Sequence, residues 1–110
     1  MLMHYLSHPF TGDEIKNRAE TERIQRELQE KFPHVLYVSP IANFKALAGM
    51  EYATIMGYCL ELLNKCGAAT MTGDYRSSKG CMIELAYARG KGIPVFFYDA
   101  QRHEYVREET

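Results

Sequence analysis

The residues best suited to chemistry lie in one run, Gly73-Asp74-Tyr75-Arg76-Ser77-Ser78-Lys79-Gly80-Cys81-Met82-Ile83-Glu84. Ser77 and Ser78 stand where a helix is expected to begin, and serine is a favoured N-cap. Gly80 lets backbone approach a ligand closely, because it has no Cβ. A helix N-terminus carries unpaired N–H groups and partial positive charge, so it suits a phosphate. Glu84 follows about one turn later. A carboxylate there can face the same cleft as a bound anion, where it could attack an anomeric carbon or hydrogen-bond a sugar. The plainer reading stands beside this one: Ser-Ser before a helix is a cap, and a Glu near its start is a solvated residue favoured by the dipole.

A second set occupies the first loop: Ser7, His8, Thr11 and Gly12, with Asn17 and Arg18 beyond. Gly12-Asp13 fits a tight turn. Ser7 and Thr11 could bind hydroxyls or phosphate, and His8 can titrate near neutrality. The alternative is that Thr11 or Asp13 caps the helix that follows. Tyr75 is placed to stack on a base, and Arg76 and Lys79 to meet phosphate charge. Cys81 is expected at a helix N-terminus, where a thiol pKa tends to fall. With no base to partner it, it reads as a small buried residue.

These loops need elements to hold them. Leu2–Leu6 reads as a strand, stopped by Pro9 and Gly12. From Asp13 to Phe32, Ile15, Ala19, Ile24, Leu28 and Phe32 recur at helical spacing, and Pro33 ends the helix. Val35–Val38 is β-branched and apolar, a strand. A loop from Ile41 to Gly49 leads to the most regular helix. Its apolar residues Tyr52, Ile55, Met56, Cys59, Leu62, Leu63 and Cys66 fall at i, i+3, i+4, i+7, i+10, i+11 and i+14. Gly67–Thr72 is a strand by its flanks. Gly80–Arg89 is a helix with Met82, Leu85, Ala86 and Arg89 on one face, and Ile93–Tyr98 is a strand. Residues 99–110 read as a polar tail. This alternation implies an α/β fold: a small flavodoxin- or Rossmann-like, doubly wound parallel sheet of about four strands, with helices on both faces. With strand order 2-1-3-4, the loops after strands one and three open side by side at the carboxyl edge, where such sheets bind ligands.

The chain has 110 residues, which argues for one domain over residues 1–110. Thirteen basic against fourteen acidic residues leave no basic excess for a polymeric nucleic acid. The longest apolar run is too short for a membrane span, and the first residues lack the pattern of a secretory signal. Three cysteines without a CxxC argue against a disulfide framework and for a reducing, cytoplasmic setting. No His/Cys spacing suggests a metal site.

Several stretches, in order, resemble the small uncharacterised family described as nucleoside 2-deoxyribosyltransferase-like. They are Tyr5-Leu6-Ser7-His8-Pro9-Phe10-Thr11-Gly12 with Asn17, Tyr37-Val38-Ser39-Pro40-Ile41, Leu62-Leu63-Asn64-Lys65-Cys66, Gly73 to Glu84, and Gly92-Ile93-Pro94-Val95. The resemblance spans residues 2 to 98. It implies a flavodoxin-like fold that handles nucleosides or nucleotides. In catalytic relatives, a glutamate matching Glu84 attacks the anomeric carbon of a deoxyribose. A serine matching Ser78 holds the 5′-phosphate in the nucleotide hydrolases. The relatives are oligomers whose neighbouring subunits help complete the sites, so this chain is expected to form a homodimer or higher homo-oligomer. This chain departs from them at Gly67, where an Asp is frequent, and at His8, where Gly is frequent. An acidic residue on the preceding helix aligns with Cys59, or with Glu61 if the alignment shifts by two.

Two functions follow from the resemblance, and neither asks for a cofactor. One is an enzyme cleaving or transferring an N-glycosidic bond. Glu84 is its nucleophile, and Ser7, His8, Thr11, Gly12, Asp74, Tyr75, Ser77, Ser78 and Gly80 bind the nucleotide. The other is a non-catalytic protein, for example a phage-encoded one, that captures an ADP-ribose-like or cyclic nucleotide signal.

Overall fold

The computed structural model describes residues 1–109. Its elements in chain order are β1 (Leu2–Ser7), α1 (Glu14–Lys31), β2 (Val35–Val38), α2 (Pro40–Asn43), α3 (Tyr52–Asn64), β3 (Ala68–Thr72), α4 (Lys79–Gly90), β4 (Val95–Asp99) and β5 (Glu104–Arg107). Short 3₁₀ turns at Lys45–Leu47 and Tyr75–Ser77 lie in the connections. The sheet order is β2-β1-β3-β4-β5, with the first four strands parallel and β5 antiparallel to β4. The chain winds outward both ways from the β1–β3 pair, so the loops after these two strands diverge and leave a crevice between them.

Strand periodicity builds two cores from one sheet, because successive side chains point to opposite faces. Tyr5, Ala69, Met71 and Val95 face α3 and α4, where they pack with Cys59, Leu63, Cys66, Cys81, Leu85 and Ala88. Leu6, Tyr37 and Tyr98 face α1 and pack with Ile24 and Leu28. Val35–Val38 pairs with β1 along its whole length, from Leu2 opposite Val35 to Tyr5 opposite Val38.

The structure corrects four expectations. The connection after β2 is not all loop: Ser39 accepts from the Ala42 amide at 3.3 Å, and Pro40 at the first helical position starts the one-turn α2. On α1, Ile15 is 87% exposed and Ala19 is also exposed. The buried stripe runs instead through Thr21, Ile24 and Leu28, with the Thr21 hydroxyl satisfied by the Asn17 carbonyl at 2.8 Å. On α4 the buried face is Cys81, Glu84, Leu85 and Ala88, while Met82 is 40% exposed. The sequence pattern, weighing hydrophobicity alone, turned that helix by about one residue because its buried face contains a carboxylate.

The fourth correction concerns the segment read as a polar tail, which supplies a fifth strand. The Asp99 carboxylate accepts from the amides of Gln101 and Arg102 at 2.9 and 3.2 Å, folding the chain back. Tyr105 then enters the α1-side core. Its hydroxyl lies 2.7 Å from Thr70 Oγ1 and 3.2 Å from the Tyr37 hydroxyl, and its ring packs on Phe32, Phe96 and Tyr98. Tyr105→Ala is expected to cost about 2–4 kcal/mol in chemical denaturation and Tyr105→Phe about 1 kcal/mol. A frayed segment would make both neutral.

Candidate functional site

Glu84 lies in the second turn of α4 on the face that meets the sheet, and it is only 6% exposed. Tyr5 and Ser7 alternate along β1 onto the same face, so both reach it. The Tyr5 hydroxyl donates to Oε2, and the Ser7 hydroxyl donates to Oε1 at 2.6 Å. Burial pushes the Glu84 carboxyl above its ordinary value, while the Ser7 and Tyr5 hydroxyls pull it back. Burial, then the Glu84 charge, pushes the Tyr5 phenol well up. Cys59 packs in the same cluster, and burial with that charge raises its thiol to about 11. Cys59 is thus the side chain that α3 presents here. Glu61 is exposed and pairs with Lys65 at 3.2 Å. Burial also raises the Cys81 thiol to about 11, outweighing the Ser7 and Ser78 hydroxyls that lower it.

Above α4 lies a hollow of about 520 Å³, lined by Pro9, Thr11, Asn17, Tyr52, Asp74, Ser77, Ser78, Lys79 and Gly80. That size suits a small molecule of nucleotide dimensions. It opens where the loops after β1 and β3 diverge. Ser78 is the N-cap of α4 and accepts from the Cys81 amide at 3.2 Å, which leaves its own O–H free to donate. A Cβ on Gly80 would stand 3.3 Å from the Tyr52 hydroxyl, so glycine keeps this wall open. Asn17 donates to the Phe10 carbonyl at 3.0 Å and ties the first loop to α1. Tyr52, at the start of α3, lines the hollow, and its phenol is raised by burial and then by the Glu84 charge.

Residues 2–97 match the family described as a domain of unknown function (DUF4406). The chain belongs to the DUF4406 family. No curated protein matches it. Among solved structures it is similar to a 2-deoxyribosyltransferase from the psychrotolerant bacterium Bacillus psychrosaccharolyticus, at 22% identity and a TM-score of 0.61, over 88% of this chain and 72% of that one. It is also similar to a 2-desoxiribosyltransferase from Leishmania mexicana, at 19% identity and a TM-score of 0.63, over 90% of this chain and 65% of that one. The DUF4406 chain thus has a 2-deoxyribosyltransferase-like fold, and it spans just under two thirds of the Leishmania protein.

The structure brings together Thr11, Asp74, Ser77, Ser78 and Gly80 on the wall of the hollow. Others expected there sit elsewhere. Ser7 is on Glu84, and Glu84 itself is drawn back into the protein rather than lining the hollow. His8 turns to the α1 side, against Thr72 and Glu20. Gly12 adopts φ +109 in the turn before α1. Tyr75 packs on Phe97, with Arg76 over its ring. Tyr5, which meets Glu84, was not among the expected site residues. Its signal was its spacing of two from Ser7, which puts both on one face. Among the described residues no group of three or more His, Cys, Asp or Glu is placed to hold a metal, and no helix is long and apolar enough to cross a membrane.

A carboxylate kept in this pocket costs stability while it is ionised. Its raised pKa means that folding binds a proton more readily than the unfolded chain does, so stability falls as pH rises from 4.5 through the folded value. Glu84→Gln is therefore expected to stabilise the protein at pH 7 by about 0.5–2 kcal/mol. The gain should shrink as pH approaches 4.5, and paired thermal melts at the two pH values will measure it.

Proposed function

We propose that the protein cleaves or transfers the N-glycosidic bond of a deoxynucleoside or its 5′-phosphate. The observation that carries this reading is the buried Glu84 carboxylate, gripped by the Tyr5 and Ser7 hydroxyls beside a hollow that ends on the N-terminus of α4. In this reading the phosphate meets the Ser78 hydroxyl and the first amides of α4, with Lys79 adding charge. Asp74, Thr11 and Asn17 contact sugar hydroxyls. Tyr52, which is half exposed, turns aside to let the sugar reach the carboxylate. A Glu84 oxygen then bonds to the anomeric carbon as the bond to the base breaks, and the base leaves with a proton from solvent. A second base or water attacks the same carbon and releases the carboxylate. The 2-deoxyribosyltransferase-like fold supports this class of reaction by analogy.

A second reading has its own support. Glu84 does not line the hollow, both of its oxygens are occupied, and an uncharged thiol, Cys59, stands next to it. A protein arranged in this way can hold a nucleotide-derived ligand, ADP-ribose-like or cyclic, without turning it over. Release of free base from a panel of deoxynucleosides and deoxynucleotides by wild type, with at least a 100-fold loss in Glu84→Gln, supports the enzyme. Tight binding with every ligand recovered intact supports capture. Absence of both removes both readings.

Two further outcomes test the roles. Glu84 must be ionised to attack, so base release should fall on the acid side at a midpoint above pH 4.5. Tyr5→Phe removes a donor that favours the ionised form, and this acid limb should move to higher pH. An unmoved limb would mean that the Tyr5 bond does not tune the reacting group. Ser78→Asp keeps a good N-cap, so the melting temperature should stay within a few degrees. Its charge should weaken binding of deoxynucleoside 5′-monophosphates at least tenfold and leave unphosphorylated nucleosides unaffected. Equal loss for both would place the phosphate elsewhere.

A further inference from the structure

His8 holds a position that the proposed chemistry does not use. Its side chain is 1% exposed and turned toward α1, away from Glu84. Nδ1 lies 2.8 Å from Thr72 Oγ1, and the Thr72 hydroxyl donates to the Ser7 carbonyl at 2.8 Å. Thr72 has only one proton, so with that bond made it accepts from Nδ1–H. The other nitrogen, Nε2, is then without a hydrogen-bond partner, the only such buried side-chain atom among the described residues. It faces Glu20 Oε1 at 3.3 Å but is not aligned for a hydrogen bond. A bare Nε2 therefore sets one acceptor against another in a buried place. A proton on Nε2 removes the conflict and makes an ion pair. A neutral ring has one alternative, in which Nε2 carries the proton, Nδ1 accepts a hydrogen bond from the Thr72 hydroxyl, and the Ser7 carbonyl loses that donor.

The ring also stands between the two loops of the hollow. Gly73, at φ +62, packs so closely that a Cβ there would lie 2.6 Å from His8 Cε1 and 3.1 Å from Pro9 Cδ. Pro9 and Thr11 follow on one side, Asp74 on the other, and all three line the hollow.

We infer that His8 is a positioning residue: it joins the loops after β1 and β3 and, through Thr72, the backbone of Ser7, and the proton it carries toward Glu20 sets how firmly that joint holds. The role deepens the proposed function, because Ser7 in turn holds Glu84. With the ring charged, Glu20, His8, Thr72, Ser7 and Glu84 form one connected chain. With it neutral, either the Glu20 contact or the Thr72–Ser7 bond is lost. The charged groups facing the ring are Glu20 and Arg23, both from α1. Burial lowers the His8 pKa below 6.5, Glu20 raises it and Arg23 lowers it. From β1 and β3 the ring meets Ser7 and Thr72, which do not titrate in this range.

The test is an NMR pH titration of the free protein, following the His8 ring carbons and the amides of Ser7 and Gly73. No ligand is added, so the outcome does not depend on whether the hollow takes a nucleotide. The expected result is one midpoint below pH 6.5 shared by the ring and both amides. Glu20→Gln should lower that midpoint, Arg23→Gln should raise it, and the two amides should follow the ring each time. Amides that ignore the ring's midpoint, or a midpoint unmoved by both substitutions, would overturn the inference. His8→Asn gives a further check: the shared amide curve should vanish, and its survival would contradict the assignment. Both α1 substitutions are at partly or fully exposed positions, so the result does not depend on the buried variant folding.

Discussion

A carboxylate in the interior must be held by donors or give up its charge, and the architecture around Glu84 follows from that constraint. Two hydroxyls meet its two oxygens, and both come from alternate positions on a single central strand. Only a strand in register with the start of α4 can deliver them together. The parallel β1–β3 pairing fixes that register, with Ser7 opposite Met71 just before the loop into α4. The sheet thus works as a ruler: its pleat sends Tyr5 and Ser7 to the carboxylate and His4, Leu6 and His8 to the other face.

This division explains how one short loop can serve two purposes. On the α4 side the residues after β3 open a hollow over a helix N-terminus. On the α1 side His8 and Thr72 fill the space between the same two loops. Polar groups on both faces are tied through Ser7, whose hydroxyl goes one way and whose carbonyl goes the other. A residue that bonds to both sides has little freedom to move, and pre-organisation of this kind is what a reacting or binding carboxylate needs.

Much of this was legible in the sequence, and the failures have physical causes. The parallel sheet followed from the alternation of strands and helices, and the order 2-1-3-4, which the sequence reading took as a condition, is the observed order of the first four strands. The wall residues Thr11, Asp74, Ser77, Ser78 and Gly80 could be found because turn and cap chemistry is local. Glu84 was legible as a candidate but not its withdrawal from the hollow, since depth depends on helix rotation. That rotation hid because hydrophobic periodicity cannot score a buried carboxylate as inward. Ile15 was misplaced because its spacing fits the helical stripe while its side chain stands in solvent. β5 was missed because Glu104-Tyr105-Val106-Arg107 places one aromatic in a polar stretch. Only the tertiary partners Thr70 and Tyr37 show why the segment folds back.

In the proposed reaction the gripped Glu84 carboxylate forms a bond to the sugar. Fluorine at the sugar's second carbon destabilises positive charge at the anomeric centre and slows breakdown of a glycosyl ester. Mass spectrometry of the protein after incubation with 2-fluoro-2-deoxyarabinosyl nucleosides and their 5′-phosphates is the most direct measurement. A fluorosugar adduct is expected on the peptide that carries Glu84, absent from Glu84→Gln. Base set free at an undiminished rate by Glu84→Gln, with no adduct on that peptide in the wild type, would contradict that reaction.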